Sequence, residues 1–338
     1  MRVREVGSQR ILIALLAISM THLACSQTMP VAPQAFPDTD LIFQTNMLRE
    51  DGGHEGLGFV NADGSSLSFL TVLIPNAWGG KTPPVLPVVT NDGSMVVFRI
   101  EADAYRAGDL VIWQVGQPAQ VCNVDLGGYR PALTLGDTQA VIDLTGPGGR
   151  LMILDLSDCQ EGAAPLARNI LTLSPPDTHI HGALGRDRDL LAYARWNPDL
   201  GSQQIIVRRL SDGTEVILGQ GITPAWSPDG QWIAYTWVDG IYAADPQGNG
   251  IRRIVDYTSP GGGGHPLFRD RWPPLPSWSP DGQWLVYHKC VLPPAPKTHC
   301  GEEIDDYAIF KVNVETGEEI KILDGGLNPY WRWKPQSE

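Results

Sequence analysis

The chain has 338 residues, with Gly 37 and Pro 28 spread along it and no G-X-Y period. That composition excludes collagen and sits badly with a helical bundle, because both residues interrupt helices; hydrophobic residues at 42% and charged residues at 19% exclude general disorder. Lys+Arg 25 against Asp+Glu 38 gives a formal net charge of −13, so no nucleic-acid partner is expected, and eleven Trp point to aromatic packing in an all-β, loop-rich protein.

Residues 1–24 read as an export signal. Arg2, Arg4 and Arg10 precede the apolar run Ile11 to Met20, which is followed by Leu23, Ala24 and Cys25. Ten apolar residues rise only about 15 Å as a helix, half the hydrocarbon thickness, so a permanent span is not expected. Cys25 directly after Leu-Ala resembles a bacterial lipobox, in which the Cys becomes the lipidated first residue; His22 departs from that pattern, where an aliphatic residue is usual. Removing 1–24 takes away three Arg and one Glu and leaves 22 basic and 37 acidic residues, net −15. Residues 25–40 are Pro-rich and polar and read as a tether carrying Cys25.

A repeat organises residues 41–335. PAWSPDGQWIAY at 224–235 and PSWSPDGQWLVY at 276–287 are nearly identical. Degenerate copies align without gaps at 87–98 (PVVTNDGSMVVF), 131–142 (PALTLGDTQAVI) and 182–193 (GALGRDRDLLAY), and a sixth begins at Pro329. The positions equivalent to Trp226 are Val89, Leu133, Leu184, Trp278 and Trp331, at spacings of 44, 51, 42, 52 and 53, close to one four-stranded blade each. In Ser-Pro-Asp-Gly, Pro fixes φ, Asp bonds nearby amides and Gly accepts positive φ, so two antiparallel strands flank a tight turn. Trp226 and Trp232 are expected to pack between sheets, and Asp92, Asp229 and Asp281 to serve the turns. A second hairpin follows each motif, with turns at Asn61–Gly64, Ser211–Gly213, Pro246–Asn249 and Glu315–Gly317. The first unit lacks its first strand, whereas the last has only that strand. The C-terminal strand is therefore expected to complete the N-terminal blade, giving an all-β six-bladed β-propeller of four-stranded antiparallel blades.

The W-S-P-D-G-Q-W repeats resemble the WD-like repeats of the TolB-type six-bladed β-propeller over about residues 41–335. The resemblance is to the propeller alone: the separate α/β domain that precedes it in TolB has only the short tether in its place here. What it implies is fold and a periplasmic or outer cell-surface setting on a bacterial envelope.

Alternation of turns puts the short ones on one face and the uneven connections, including 72–86, 257–275 and 288–306, on the other. Long loops on a rigid scaffold are where function sits. That face is expected to collect Trp78, Tyr105, Tyr129, Trp196, Trp237 and Trp272 with Arg269 and Arg271, residue types typical of binding hot spots. His54, His179, His181, His265, His288 and His299 also map to those loops. His54, His179, His181 and His265 are the candidates for a divalent metal, although a site needs three or four converging groups. No cofactor is otherwise expected. Cys290 and Cys300 flank a Pro-rich insertion and are expected to pair; Cys122 and Cys159 then pair if their strands are neighbours, and are ordinary buried thiols if not. No nucleophile elbow, P-loop, dinucleotide fingerprint or H-E-x-x-H occurs. The expected function is a monomeric, non-catalytic envelope module that recognises a protein, peptide or glycan and meets the membrane only through its lipid. The alternative is a propeller polysaccharide lyase or hydrolase using a His/carboxylate or metal cluster near the channel mouth.

Overall fold

Each copy of the repeat folds as a four-stranded antiparallel sheet, whose strands are here termed A to D from the axis outward. The computed structural model describes residues 31–33, 35–45, 56–72, 74–75, 81–82, 84–90, 94–100, 108–126, 132–133, 139–144, 150–159, 167–172, 181–256, 274–291 and 306–332. In chain order, blade I begins with β1 (Leu41–Thr45), β2 (Gly56–Val60) and β3 (Ser68–Thr71), and a small hairpin, β4 (Ile74–Pro75) with β5 (Lys81–Thr82), follows. Blade II is β6 (Pro84–Val89), β7 (Met95–Ile100), β8 (Gly108–Gln114) and β9 (Gln120–Leu126). Blade III is β10 (Ala132–Leu133), β11 (Gln139–Leu144), β12 (Arg150–Asp155) and β13 (Ala167–Thr172). Blade IV is β14 (Gly182–Leu184), β15 (Leu190–Asn197), β16 (Ser202–Arg209) and β17 (Glu215–Gln220). Blade V is β18 (Ile222–Trp226), β19 (Ile233–Trp237), β20 (Gly240–Ala244) and β21 (Arg252–Asp256). Blade VI is β22 (Ser277–Trp278), β23 (Trp284–Cys290), β24 (Tyr307–Asn313) and β25 (Glu319–Asp324). The last strand, β26 (Leu327–Trp331), pairs with β1, so blade I reads β26-β1-β2-β3 and the ring closes as the repeat count requires.

The core is a set of layers between blades. Among the described residues, one apolar cluster fills each of the six junctions, from blades I/II (Phe36, Phe59, Phe98, Trp113) round to VI/I (Leu41, Phe43, Val286, Trp331). B strands are covered on both faces, which is why they read as continuous apolar runs such as Leu41-Ile42-Phe43 and Leu285-Val286-Tyr287 instead of alternating. Outer D strands are exposed and carry charge, as in β17, β21 and β25, which discourages edge pairing.

Turn chemistry matches the motif. In blade V, Ser227 N donates to Trp232 O (2.9 Å), Ser227 Oγ to Asp229 Oδ1 (2.6 Å) and Gln231 N to the same oxygen (2.9 Å). Gly230 takes the left-handed slot at φ +71°. Ser279, Asp281 and Gly282 repeat this arrangement in blade VI; Asp92 lies outside the described residues. The repeat tryptophans lock neighbouring blades: Trp226 Nε1 donates to Ala183 O of blade IV (2.9 Å) and Trp278 Nε1 to Ala225 O of blade V (3.0 Å). Cys122 of β9 and Cys159, just after β12, form a disulfide between blades II and III. Cys290 is also disulfide-bonded, and its partner lies outside the described residues, as do Cys300 and Cys25.

One expectation needs correction. The tether reading of 25–40 does not hold for 31–33 and 35–40, which pack across the short-turn face. Ala32 and Phe36 are buried, and Phe36 stacks on Phe59 (6.3 Å) and tilts against Trp113 (5.6 Å). Apolar side chains at 32 and 36 in an otherwise polar, Pro-rich stretch fill the wedge between blades I and II. Its far end is held by Arg332, whose backbone N donates to Asp40 O (2.8 Å) and whose guanidinium donates to Thr39 O (3.2 Å) and Pro37 O.

Candidate functional site

The uneven connections emerge at the end of the ring opposite the SPDG turns, on a floor built by a repeated backbone feature. Leu86, Thr223 and Asn328 stand at the same repeat position with φ of +56°, +53° and +50°. The ladder shifts register beside each of them, between Val85 and Val88, between Ile222 and Ala225, and opposite Ile42 to Gln44. Each is followed by a proline, Pro87, Pro224 or Pro329, which has no N–H to give to a ladder and so marks the bulge. That shared proline is the signal that would have revealed these bulges, because Leu, Thr and Asn have nothing else in common.

Strand-B polar side chains at one repeat position tie these bulges to the neighbouring blade. Gln44 Oε1 accepts from Asn328 Nδ2 (3.0 Å) and from Leu86 N of blade II (3.4 Å). Thr236 Oγ1 donates to Pro274 O (2.8 Å), just ahead of blade VI. His288 Nδ1 accepts from Asn328 N of blade I (3.2 Å). His288 is therefore not a loop histidine: it is fully buried in β23, edge-on to Tyr307 (5.6 Å). His181, immediately ahead of β14, is likewise buried instead of offering its ring to solvent. Among the described residues no group of three or more His, Cys, Asp or Glu is placed to hold a metal ion. His54, His179, His265 and His299 lie outside those residues, as do Trp78, Tyr105, Tyr129, Arg269, Arg271 and Trp272.

The remaining two aromatic candidates leave their sheets toward the same blade junction. Both stand on strands, not in loops: Trp196 in β15 and Trp237 at the end of β19. Side chains two apart on a strand share a face. Ala194 and Tyr235 both pack in the layer between blades IV and V; Trp196 and Trp237, each two residues further on, therefore project into the same inter-blade cleft at the loop end. Trp196 is 41% exposed and Trp237 is half-buried. Opposite Trp196 in the ladder is Gln203, and opposite Trp237 is Gly240. A Cβ on Gly240 would meet Val255 O at 2.1 Å, so no side chain can stand there beside the indole. The strand junction beneath the cleft is likewise glycine, because a Cβ on Gly221 would strike the Tyr235 ring at 2.5 Å.

The frame of the cleft is rigid. Asn197 Oδ1 accepts from Asp199 N (2.9 Å) and Leu200 N (3.3 Å), and Asn197 Nδ2 donates to Gln204 Oε1 (2.7 Å). Leu200 at the tip is 51% exposed. Asp239, in the two-residue turn after Trp237, accepts from Tyr242 Oη (2.8 Å) and pairs with Arg253 (3.1 Å). Burial pushes the Tyr235 phenol up to about 12, with Tyr242 adding to it, so it stays a neutral hydroxyl under the cleft. The arrangement offers two indole faces and neighbouring amides on a prearranged frame. It can hold a flat apolar or C–H-rich surface.

No protein-family model and no curated protein matches the chain. Solved structures do. TolB from Acinetobacter baumannii superposes with TM-score 0.58 at 13% identity over 86% of this chain, which spans 66% of the length of that one. Putative TolB from Agrobacterium tumefaciens gives TM-score 0.55 at 16% identity, covering 88% of this chain and 100% of that chain. A chain of a nidogen/laminin complex gives 0.59 at 10% identity, covering 88% and 99%. At these identities the likeness is one of fold: the chain has a TolB-like six-bladed β-propeller.

Proposed function

We propose that this chain is a non-catalytic binding protein of the cell envelope, exported and lipid-anchored through Cys25. Its ligand, a protein, peptide or glycan, is recognised on the long-loop face. The observation that carries this reading is the pair Trp196, exposed, and Trp237, half-buried, on strands whose faces meet at the junction of blades IV and V. Large rigid aromatics at such a place gain contact area at low conformational cost and dominate binding energy where they occur. The nidogen/laminin neighbour supports the same use of a propeller, as a surface in a protein complex. No observation among the described residues favours the lyase or hydrolase alternative.

The test is capture from envelope extract, with a glycan array in parallel, using the mature chain, Trp196→Ala and Trp237→Ala. Truncating a hot-spot aromatic costs about 2 kcal/mol or more, so each variant should weaken the same captured component roughly thirtyfold while its thermal unfolding stays close to that of the parent. If neither substitution weakens any component, the cleft is not the binding site and the proposal fails.

A further inference from the structure

Residues 31–33 and 35–40 lie along the short-turn face from its rim to the ring axis, and their position bears on which side of the ring meets a lipid surface. At the axis end, Asp40 O accepts from Arg332 N, and Ala62 N donates to Asp40 Oδ2 (3.0 Å). Midway, Phe36 is wedged between Phe59 and Trp113. At the rim, Ala32 N donates to Gln117 O (2.8 Å), Gly116 N donates to Pro33 O (2.9 Å), and Val31 bridges to Pro118. The first described residue, Val31, thus stands at the C–D turn of blade II. From Cys25 to Val31 there are six Cα–Cα steps, a reach of at most about 22 Å.

That reach is about the height of the ring: seven steps of about 3.3 Å along the eight-residue strands β15 and β16 span about 23 Å, and the loops of the opposite face stand beyond them. A lipid carried at Cys25 therefore meets the bilayer beside the short-turn face first. It holds the blade II turn near the headgroups, with Val31 (59% exposed) at that turn and Leu67 (45% exposed) on the same face. We infer that the short-turn face, at the edge of blades I and II, is the membrane-proximal surface and docks on a phospholipid bilayer. The cleft of Trp196 and Trp237 then points into the aqueous compartment, away from the anchoring membrane. This inference rests on lipid anchoring at Cys25 as proposed above.

The experiment uses the full mature chain recovered from membranes and reconstituted on phosphatidylethanolamine/phosphatidylglycerol vesicles. One variant, Glu315→Cys, places a donor dye on an exposed short turn of blade VI; another, Asp199→Cys, places it on the exposed B–C turn of blade IV. Neither side chain caps its turn, which is closed by Asn313 and Asn197 respectively. With acceptor-labelled headgroups, transfer from position 315 should exceed that from position 199 several-fold at equal acceptor density. Equal transfer, or more from 199, with Cys25 shown by mass to be acylated, overturns the orientation and leaves anchoring intact. An unmodified Cys25 overturns anchoring and the orientation together, without touching the cleft as a binding site.

Discussion

Trp278 and Trp331 hold the same position in consecutive repeats and are 4% and 7% exposed. Replacing either by Phe removes the same atoms from equally covered surroundings, so the transfer and cavity costs cancel to first order. What differs is the indole N–H. Trp278 Nε1 donates to Ala225 O across the blade V/VI junction, whereas Trp331 Nε1 is buried with no hydrogen-bond partner. Blade VI carries Ser277 where blade V has Ala225, and Ser277 Oγ accepts the Trp331 backbone N instead (3.1 Å). W278F therefore loses a buried hydrogen bond, while W331F deletes a donor that was satisfied by nothing; W278F should be the more damaging by at least about 1 kcal/mol. In a chain of this size that corresponds to about 2 °C in Tm. Urea unfolding followed by far-ultraviolet circular dichroism, which does not depend on the fluorophore removed, measures the difference at constant m. Equal losses, or a larger one for W331F, would refute inter-blade indole bonding as a source of ring stability.

Two further outcomes follow from the same geometry. The Cys122–Cys159 bridge closes a separation of 37 residues across two blades, so the Cys122→Ser, Cys159→Ser double variant should lose about 3–4 kcal/mol by chain-entropy reasoning; a loss under about 1 kcal/mol by urea titration would show the junction to be held by packing alone. Burial opposes ionisation of Glu215, but hydrogen bonds from Arg208 (2.7 Å), Arg195 (2.9 Å) and Tyr193 (3.0 Å) outweigh it and hold the carboxyl below the usual range. A depressed folded-state pKa contributes stability that is fully present above the ordinary Glu value and is lost as pH falls through the folded one. The parent should thus lose more stability than Glu215→Gln on acidification from about pH 5 to pH 3; parallel profiles would remove Glu215 from the account.

Much of the architecture was legible because a propeller is built from local units. Turn residues, strand alternation and the interval between copies are all written within about fifty residues, so blade number, strand order and closure by β26 follow from counting repeats. The candidate site was legible only in part. Trp196 and Trp237 could be singled out as aromatics, but not as strand residues whose side chains leave toward one blade junction. That depends on which face of each sheet they leave by and on blades IV and V being neighbours at that junction. His181 and His288 looked like loop ligands because the residue ahead of β14 and the later residues of β23 carry no sign in the sequence of being buried.

Counting repeats was enough to establish a closed ring of six four-stranded blades, because each hairpin obeys its own turn chemistry wherever it is placed. What lies between the blades came from the three-dimensional packing: the bonds of Gln44, Thr236 and His288 to the next blade, the Cys122–Cys159 bridge, and the burial of Ala32 and Phe36 that turns half of an apparent tether into part of the body. Those contacts join residues distant along the chain through side-chain direction and burial, and neither is encoded in any single copy of the repeat.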